Sequence, residues 1–228
     1  MLLYSKAPAR KRGGFLHQAI GLSQMSICIQ QLSEAMSDQP KFTNRPNPKI
    51  HSLNGDVFYH SRANAVVAEI CLYDIQQKTW SILLMQRGLK DQEFAGYWAL
   101  PSGYLDWNET LYQAMMREVY EETGVWLPMV IQQSTSVLAD QQPWRIADAP
   151  TGQKQNLAFH YAVLLAWPSS DYPSLSVQSE DPRETSNAQW VDIQHAADMN
   201  LAFAHQQHIQ QLITLKSNLF SQIESVAQ

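Results

Sequence analysis

Three glutamates in one short segment, Glu118, Glu121 and Glu122, offer the clearest chemistry in this sequence. Positions i, i+3 and i+4 of a helix lie on one face, so these carboxylates would be within reach of one another. Like charges held so close repel, and a helix that needed only solubility would interleave lysines. A hard divalent cation takes oxygen ligands and offsets the repulsion. The spacing therefore predicts metal-assisted chemistry on a phosphate-bearing substrate.

Length and composition set the frame for such a site. The 228 residues, 45% of them hydrophobic and seven of them tryptophan, predict one folded domain of ordinary size plus an extension. A net charge of −5 argues against general nucleic-acid binding, which needs a basic face. Small phosphorylated substrates stay open, because a bound metal inverts the local field.

Two further classes are disfavoured by the residue types present. The longest apolar runs, near residues 65–73 and 160–167, are far shorter than the roughly 20 residues of a membrane helix, so no membrane partner is expected. Cys28 and Cys71 are far apart and lack CxxC spacing, which leaves neither a zinc site nor a disulfide framework. A reducing, cytoplasmic location is the natural expectation.

Residues 1–50 predict an N-terminal extension ahead of a domain at 51–228. The extension carries several basic residues and no acidic residue before Glu34. A poorly ordered segment, an upstream start with the working start at Met36, and a targeting peptide are the alternatives. The last lacks a compact apolar region and a cleavage site. Residues 43–48, rich in Asn and Pro, predict a linker into the domain.

Hydrophobic patterning predicts the strands that must support the glutamates. Short runs of Val, Ile, Leu and Ala bounded by turn residues are typical of buried strands. The predicted strands cover residues 63–73, 80–86, 98–100, 130–139, 157–167 and 189–193. Turns are predicted at 76–78 and 101–103, a polar loop at 88–97, and a helical region from His195 onward. Strands, helix, strands and helix in this order indicate an α/β fold with helices packed on a mixed sheet.

The glutamates themselves fall on a predicted helix over residues 109–123. Asn108 is a good N-cap, and Gly124 is placed to end the helix. Leu111, Met115 and Val119 repeat at i, i+4 and i+8, which predicts the buried stripe of this helix.

The whole segment from Gly103 to Val125 resembles the Nudix box, G-x5-E-x7-R-E-U-x-E-E-x-G-U, where U is an aliphatic residue. All nine specified positions match. Residues 98–101 resemble the strand that leads into the box, and residues 201–205 with Ile209 resemble the family's closing helix. The resemblance covers roughly residues 62–215. It implies the Nudix fold, a mixed β-sheet sandwiched between α-helices, and a hydrolase that uses Mg²⁺ or Mn²⁺.

The resemblance also implies roles for the residues of the box. Glu118 and Glu122, one turn apart, match the metal ligands of the family, and Glu121 is a third ligand or the general base. Glu118, Glu121 and Arg117 form the expected catalytic group, in which the guanidinium of Arg117 orients carboxylates. Glu109 lies nine residues before Glu118, so on a helix the two side chains would point in opposite directions. Glu109 is therefore expected to be mainly structural and to hold Arg117, with a water-mediated metal contact as the alternative.

Residues at the edges of the box complete the expected metal site. The family places a glycine where Ser102 stands, and that residue offers its backbone carbonyl to the metal. Gly103 and Gly124 are expected to be structural. Glu184 resembles an acidic residue, C-terminal to the box, that some members of the family bring to the metal. Glu180 and Asp181 are alternatives for this role, and Glu184 could equally be an ordinary acidic residue of a surface loop.

The sequence indicates substrate-binding residues less clearly than it indicates metal ligands. Arg87, at the end of a strand, is expected to meet a substrate phosphate or to be an ordinary surface arginine. Trp144 would stack a base or pack on the rim of the core. Residues 148–159 are more similar to the members that act on ADP-ribose and nucleotide sugars.

The sequence therefore predicts a metal-dependent pyrophosphohydrolase acting on a nucleoside diphosphate linked to another moiety. Hydrolysis of the 5′ end of RNA and a non-catalytic nucleotide sensor are the alternatives. A small phosphorylated nucleotide is the expected partner, a nucleic acid is not, and a homodimer stays open.

Overall fold

A computed structural model of the chain describes residues 2–5, 49–59, 64–89, 93–148, 156–168, 171–178 and 184–227. The predicted linker at 43–48, Glu180, Asp181 and most of the predicted extension lie outside these ranges. The boundary proposed at residue 50 stays a prediction.

The described residues form one large mixed sheet and a separate two-stranded one. The strands of the large sheet are β1 Leu2–Ser5, β4 Asn64–Asp74, β5 Thr79–Arg87, β6 Trp98–Ala99, β7 Ser102–Tyr104, β8 Ser136–Ala139, β9 Arg145–Ala147, β10 Leu157–Trp167 and β11 Thr185–Asp192. They follow the order β1-β8-β10-β4-β5-β11, with β6 paired to β5, β7 to β4 and β9 to β10. The small hairpin joins β2 Lys49–His51 to β3 Val57–Tyr59.

Strand β4 is the centre of the large sheet. It runs parallel to β10 over its whole length, from the pair Leu157–Asn64 to the pair Trp167–Asp74, and antiparallel to β5. Its near-continuous apolar sequence suits a strand that is buried on both faces. The predicted hairpin of residues 63–73 and 80–86 and the predicted strand at 157–167 are confirmed, and every end agrees to within one residue.

Helices cover both faces of this sheet. One face carries α1 Leu111–Thr123 and α2 Leu127–Gln133, and the other carries α3 Ile193–Asp198, α4 His205–Leu215 and α5 Ser217–Val226. Each face buries its own apolar cluster, so neighbouring side chains of β4 point alternately into the two. The predicted α/β fold, a mixed sheet between helices, is confirmed.

The start of helix α1 differs from the prediction. Thr110 is the N-cap: its Oγ1 accepts from the Gln113 backbone N–H at 3.2 Å, and Gln113 Oε1 accepts from the Thr110 N–H at 2.8 Å. The predicted N-cap Asn108 was therefore wrong by two residues. A reciprocal pair of this kind satisfies two of the free N–H groups at a helix start. The end was predicted correctly, because Gly124 is the left-handed C-cap at φ 75°.

Two other predicted elements were wrong. Residues 130–139 form the end of α2 and then the short strand β8, because Pro128 opens a helical turn and three buried residues of α2 pack it on the sheet. The predicted turn at 101–103 is mostly the strand β7, which pairs with Val67, Val66 and Ala65 of β4. Among the described residues no helix is long and apolar enough to cross a membrane.

Candidate active site

The glutamates lie on α1, whose C-terminal end is fixed by neighbouring backbone. At its C-terminal end, Ser176 N–H donates to the Thr123 carbonyl at 2.9 Å and Gln178 N–H donates to the Glu121 carbonyl at 2.8 Å. A Cβ on Gly124 would overlap the carbonyl oxygen of Ser176. Glycine is required here both by its positive φ and by this close approach. The segment that follows β10 therefore locks the helix end that carries the acidic residues.

Arg117 is the centre of the site. Its side chain is 7% exposed, and Nε and Nη2 donate to the two oxygens of Glu109 at 3.1 and 2.8 Å. Nη1 donates to Glu118 Oε1 at 2.7 Å and to Glu121 Oε2 at 2.9 Å, and Nη2 also donates to the Tyr104 carbonyl at 2.9 Å. A planar guanidinium can serve several acceptors in fixed directions, which a lysine cannot do. Arg117 thereby sets the relative positions of three carboxylates.

Two contacts tie the cluster to the strand–loop region before the helix. Glu109 Oε1 also accepts from the Asp106 backbone N–H at 2.9 Å, so this carboxylate links the loop to Arg117. A Cβ on Gly103 would overlap the Glu118 carboxylate, which means that Glu118 lies directly against the backbone of β7. The first glycine of the segment is thus needed for the position of Glu118.

Glu122 reaches the same strand. Its Oε2 accepts from the Ser102 backbone N–H at 2.8 Å. Ser102 is paired with Val67 of the central strand, so the bond anchors Glu122 to the rigid sheet. The carbonyl of Ser102 and the carboxylates of Glu118 and Glu122 consequently belong to one small region at the junction of α1 and β7.

Burial sets the electrostatics of these groups. Desolvation raises the pKa of Glu118 to about 7, although Arg117 acts in the opposite direction. Desolvation and the charge of Glu118 raise the pKa of Glu122 well above its ordinary value, against the Ser102 hydrogen bond. Desolvation also raises the pKa of Glu121, opposed by Arg117. Burial alone would lower the pKa of Arg117, but hydrogen bonding and charge from Glu109, with the charges of Glu118 and Glu121, raise it.

These residues fit a hard divalent cation by donor type. Carboxylate and backbone carbonyl oxygens are the ligands that Mg²⁺ and Mn²⁺ take. Raised pKa values are expected of carboxylates crowded together in a partly dry site, and a cation would lower them. Within the described residues no three acidic, histidine or cysteine side chains already surround one point at ligand distance. Arg117 Nη1 instead bridges Glu118 and Glu121.

Arg87 interacts electrostatically with both Glu122 and Glu184. Arg87 ends β5, and the Gly88 N–H donates to the Glu184 carbonyl at 2.7 Å. Burial lowers the pKa of Arg87, while the charges of Glu122, Glu93 and Glu184 oppose this effect. The metal role predicted for Glu184 and the phosphate role predicted for Arg87 stay predictions.

Trp144 belongs to a different set of contacts. Its indole N–H donates to Glu69 Oε2 at 3.2 Å, and Glu69 Oε1 lies 2.7 Å from Nδ1 of the fully buried His160. The ammonium of Lys216 lies 5.9 Å from the Trp144 ring. These groups lie on the sheet face covered by α3, α4 and α5, opposite to α1. The base-stacking role of Trp144 stays a prediction.

Sequence reasoning missed three supporting groups. The Tyr104 carbonyl that accepts from Arg117 leaves no sequence signal, because it is main chain. The Thr110-x-x-Gln113 spacing is a capping-box signature and could have identified the cap. His205 is buried, and its Nδ1 accepts from the Leu100 N–H at 3.0 Å, a long-range contact that no local pattern contains.

Comparison with known proteins bears on this geometry. The profile of the NUDIX domain matches residues 63–212, about two thirds of the chain. The chain belongs to the Nudix family. The family inferred from the segment Gly103 to Val125 is therefore confirmed, and the acidic face of α1 lies inside the matched domain.

Several curated proteins are similar to this Nudix chain. The ADPR responsive transcriptional repressor NtrR of Acinetobacter baylyi is 22% identical over 157 residues, which are 67% of this chain and 54% of that protein. The chain thus spans about half of the repressor's length. The RNA pyrophosphohydrolase of Novosphingobium aromaticivorans is 27% identical over 118 residues, 46% of this chain and 66% of that protein. The ADP-ribose pyrophosphatase of Methanocaldococcus jannaschii is 43% identical over 51 residues, 22% of this chain and 29% of that protein.

Solved structures agree on the fold. The NUDIX domain of Shewanella oneidensis NrtR, crystallised with ADP ribose, has a TM-score of 0.50 at 22% identity, covering 70% of this chain and 89% of that one. The Nudix hydrolase RenU of M. smegmatis has a TM-score of 0.54 at 20% identity, covering 76% of this chain and 97% of that one.

Proposed function

We propose that this chain is a metal-dependent pyrophosphohydrolase that cleaves the diphosphate bond of a nucleoside diphosphate linked to another moiety, of the ADP-ribose type. The observation that carries the proposal is the half-buried carboxylate cluster of Glu118, Glu121 and Glu122 around Arg117 on one helix face. Crowded carboxylates with raised pKa values destabilise the folded protein unless a bound cation offsets their repulsion.

Glu118, Glu122 and the Ser102 carbonyl would hold Mg²⁺ or Mn²⁺. When bound, the metal neutralises charge on the diphosphate and lowers the pKa of a coordinated water. Glu121 has the more exposed carboxylate, 35% against 13% for Glu118, so it can act as a third ligand or accept the proton of the attacking water. Arg117 orients the carboxylates of Glu118 and Glu121 and is itself held by Glu109.

The chemical change is simple to balance. Water adds to one phosphorus, the P–O bond of the bridging oxygen breaks, and two phosphate monoesters leave with the released proton. For ADP-ribose the products are AMP and ribose 5-phosphate. The protein contributes mainly positioning and charge stabilisation, because the nucleophile is water.

The substrate class is supported by the relatives rather than by the cluster. The archaeal relative is named for ADP-ribose pyrophosphatase activity, the Acinetobacter relative for its response to ADPR, and the Shewanella domain was solved with ADP ribose. The Acinetobacter relative is named as a transcriptional repressor that responds to ADPR, so a non-catalytic ADP-ribose sensor is the second candidate function. The complete set of acidic residues in this chain favours the enzyme. The predicted cytoplasmic location stays a prediction.

A substrate panel separates the candidates. The full chain would be given ADP-ribose, NADH, UDP-sugars, diadenosine polyphosphates, nucleoside triphosphates and 5′-triphosphorylated RNA, each with Mg²⁺, Mn²⁺ or EDTA. The expected result is metal-dependent release of AMP from ADP-ribose. Preferential cleavage of the RNA would replace the substrate class, and tight binding of ADP-ribose without turnover of any compound would establish the sensor.

A further inference from the structure

Backbone strain is concentrated beside Arg87. Among the described non-glycine residues, positive φ occurs at Lys78, Phe94, Phe203 and Ala204. Lys78 lies in the ordinary hairpin turn between β4 and β5. Phe94, Phe203 and Ala204, with φ values of 59°, 56° and 57°, belong to two segments that meet each other. A left-handed conformation is unfavourable for a bulky residue, and such residues cluster at binding sites more than elsewhere.

The strained residues present an aromatic surface. The rings of Phe94 and Phe203 are 4.9 Å apart and those of Phe94 and Tyr97 are 5.7 Å apart, both edge to face. We call Phe94, Tyr97 and Phe203 the aromatic platform. Phe94 packs inward on Met85 and Ala99, whereas Tyr97 and Phe203 remain 41% and 37% exposed. Sealing the core explains Phe94, but it does not explain two exposed rings fixed on its flanks.

A cation lies between the aromatic platform and the acidic cluster. The guanidinium carbon of Arg87 is 4.7 Å from the centroid of the Phe203 ring. Arg87 also interacts electrostatically with Glu122 and is held through Nε by the Glu93 carbonyl at 3.3 Å. A guanidinium in such a position can contact a phosphate while keeping its stacking on the ring.

One short backbone segment connects the platform to the carboxylates. Leu100 N–H donates to His205, two residues after Phe203, and Ser102 N–H donates to Glu122. Two residues of extended chain span about 7 Å. The backbone groups that hold His205 and Glu122 are therefore about 7 Å apart, and Arg87, which lies over Phe203 and interacts with Glu122, connects the platform to the carboxylates.

We propose that the aromatic platform is the subsite for the heterocyclic base of the nucleotide, which stacks on the exposed rings of Phe203 and Tyr97 while Arg87 contacts the adjacent phosphate. The proposal rests on the proposed function for the position of the diphosphate. Base stacking on aromatic rings tolerates different bases, so the platform selects a nucleotide over a base-free phosphate. His205 is a positioning residue, because its bond to Leu100 holds the Phe203 turn.

Binding of AMP and of ribose 5-phosphate tests this assignment without turnover. Calorimetry on the full chain would compare wild type with Phe203→Leu and Tyr97→Leu, which keep apolar bulk and remove the ring. Phe220→Leu, on α5 against Trp80, is the matched control for the loss of a ring. Each platform variant is expected to bind AMP about tenfold more weakly, from the typical worth of one stacked base, with ribose 5-phosphate unchanged. Melting temperatures check folding, and Tyr97→Leu decides if Phe203→Leu does not fold.

Kinetics with ADP-ribose give a second readout. A platform variant should raise KM about tenfold while kcat stays within about twofold, because the base contact is made equally in ground and transition states. Unchanged AMP affinity in both variants would overturn the subsite, as would equal weakening of AMP and ribose 5-phosphate. If wild type binds AMP through the platform but hydrolyses no nucleotide, the subsite stands and the proposed enzymatic function fails.

Discussion

Among single residues, Arg117 makes most of the charged contacts of the site. Its five hydrogen bonds reach three carboxylates and one backbone carbonyl, so it compensates charge that would otherwise be buried without a partner. A folded protein is strongly destabilised when a buried carboxylate loses its cationic partner. The same residue that orders the site is therefore expected to stabilise the helix on which the site is built.

Substitution of Arg117 should reveal the geometry as well as the charge. Arg117→Met removes the cation that Glu109, Glu118 and Glu121 share, and we expect about 3–5 kcal/mol less free energy of unfolding. Arg117→Lys keeps the charge but cannot reach all the acceptors, and we expect a loss of about 2 kcal/mol. Urea denaturation measures both values. A lysine variant within about 0.5 kcal/mol of wild type would refute the bridging role.

Glu118 predicts how the stability of the metal-free protein depends on pH. Its folded-state pKa of about 7 lies above the ordinary value of 4.5. Between these values the native state keeps a proton that the unfolded state has lost, so stability falls as the pH rises through this interval. In EDTA, Glu118→Gln should raise the melting temperature at pH 8 by several degrees, with little change at pH 5.

The control for this pH dependence is Glu224→Gln, on α5, whose amide oxygen can still accept from the Trp80 indole N–H. Any change in its melting temperature should be the same at pH 5 and at pH 8. Thermal scans in EDTA from pH 5 to pH 8 make the comparison. A Glu118→Gln variant whose gain is the same at both pH values would contradict a buried, proton-linked carboxylate at this position.

At the scale of elements, the cap of α1 gives a direct comparison of two neighbouring positions. Thr110 and Gln113 exchange hydrogen bonds, whereas Asn108 lies in the preceding turn and is exposed. Thr110→Ala should therefore lower the free energy of unfolding by about 1 kcal/mol. Asn108→Ala should change it by less than about 0.5 kcal/mol. Chemical denaturation of the two variants measures both losses of stability. A larger loss for Asn108→Ala than for Thr110→Ala would place the N-cap at Asn108.

The elements also show where sequence patterns stop being informative. The hairpin of β4 and β5 and the end of α1 were predictable, because long apolar runs and a glycine C-cap are local signals. Residues 130–139 were misassigned, because the β-branched residues at the end of α2 resemble a strand until packing on the sheet is known. The strand β7 was taken for a turn, since its Ser-Gly sequence has turn-like residues and its pairing with β4 is long-range.

The site itself was predictable to a similar extent. Glu118, Glu121 and Glu122 could be placed on one helix face from their spacing alone. The bond between Ser102 N–H and Glu122, and that between the Tyr104 carbonyl and Arg117, depend on how β7 lies against α1. No helical or strand period encodes that packing, so these contacts needed the three-dimensional structure.

At the scale of the whole molecule, the sheet separates two functions of its helices. The α1 face carries the acidic cluster, and the α3–α5 face holds Phe203 through His205, while each face buries an apolar cluster of comparable size. The strands between them are rigid and buried, which suits a site that works by positioning. Activity should therefore depend on a few carboxylates at the junction of α1 and β7, while folding depends on both faces.

ADP-ribose hydrolysis by wild type, Glu122→Gln and the control Glu224→Gln, each with Mg²⁺ and with EDTA, tests whether the acidic cluster of α1 is the catalytic metal site. Glu122→Gln retains the side-chain oxygen that accepts from Ser102 but loses the charge a metal requires. We predict turnover in wild type and control with Mg²⁺, none in EDTA, and a loss of at least about 100-fold in Glu122→Gln, whose melting temperature in EDTA is no lower than that of wild type because the raised pKa of Glu122 already opposes its charged form. Equal Mg²⁺-dependent turnover in Glu122→Gln and wild type would contradict the assignment of this cluster as the metal-dependent catalytic site.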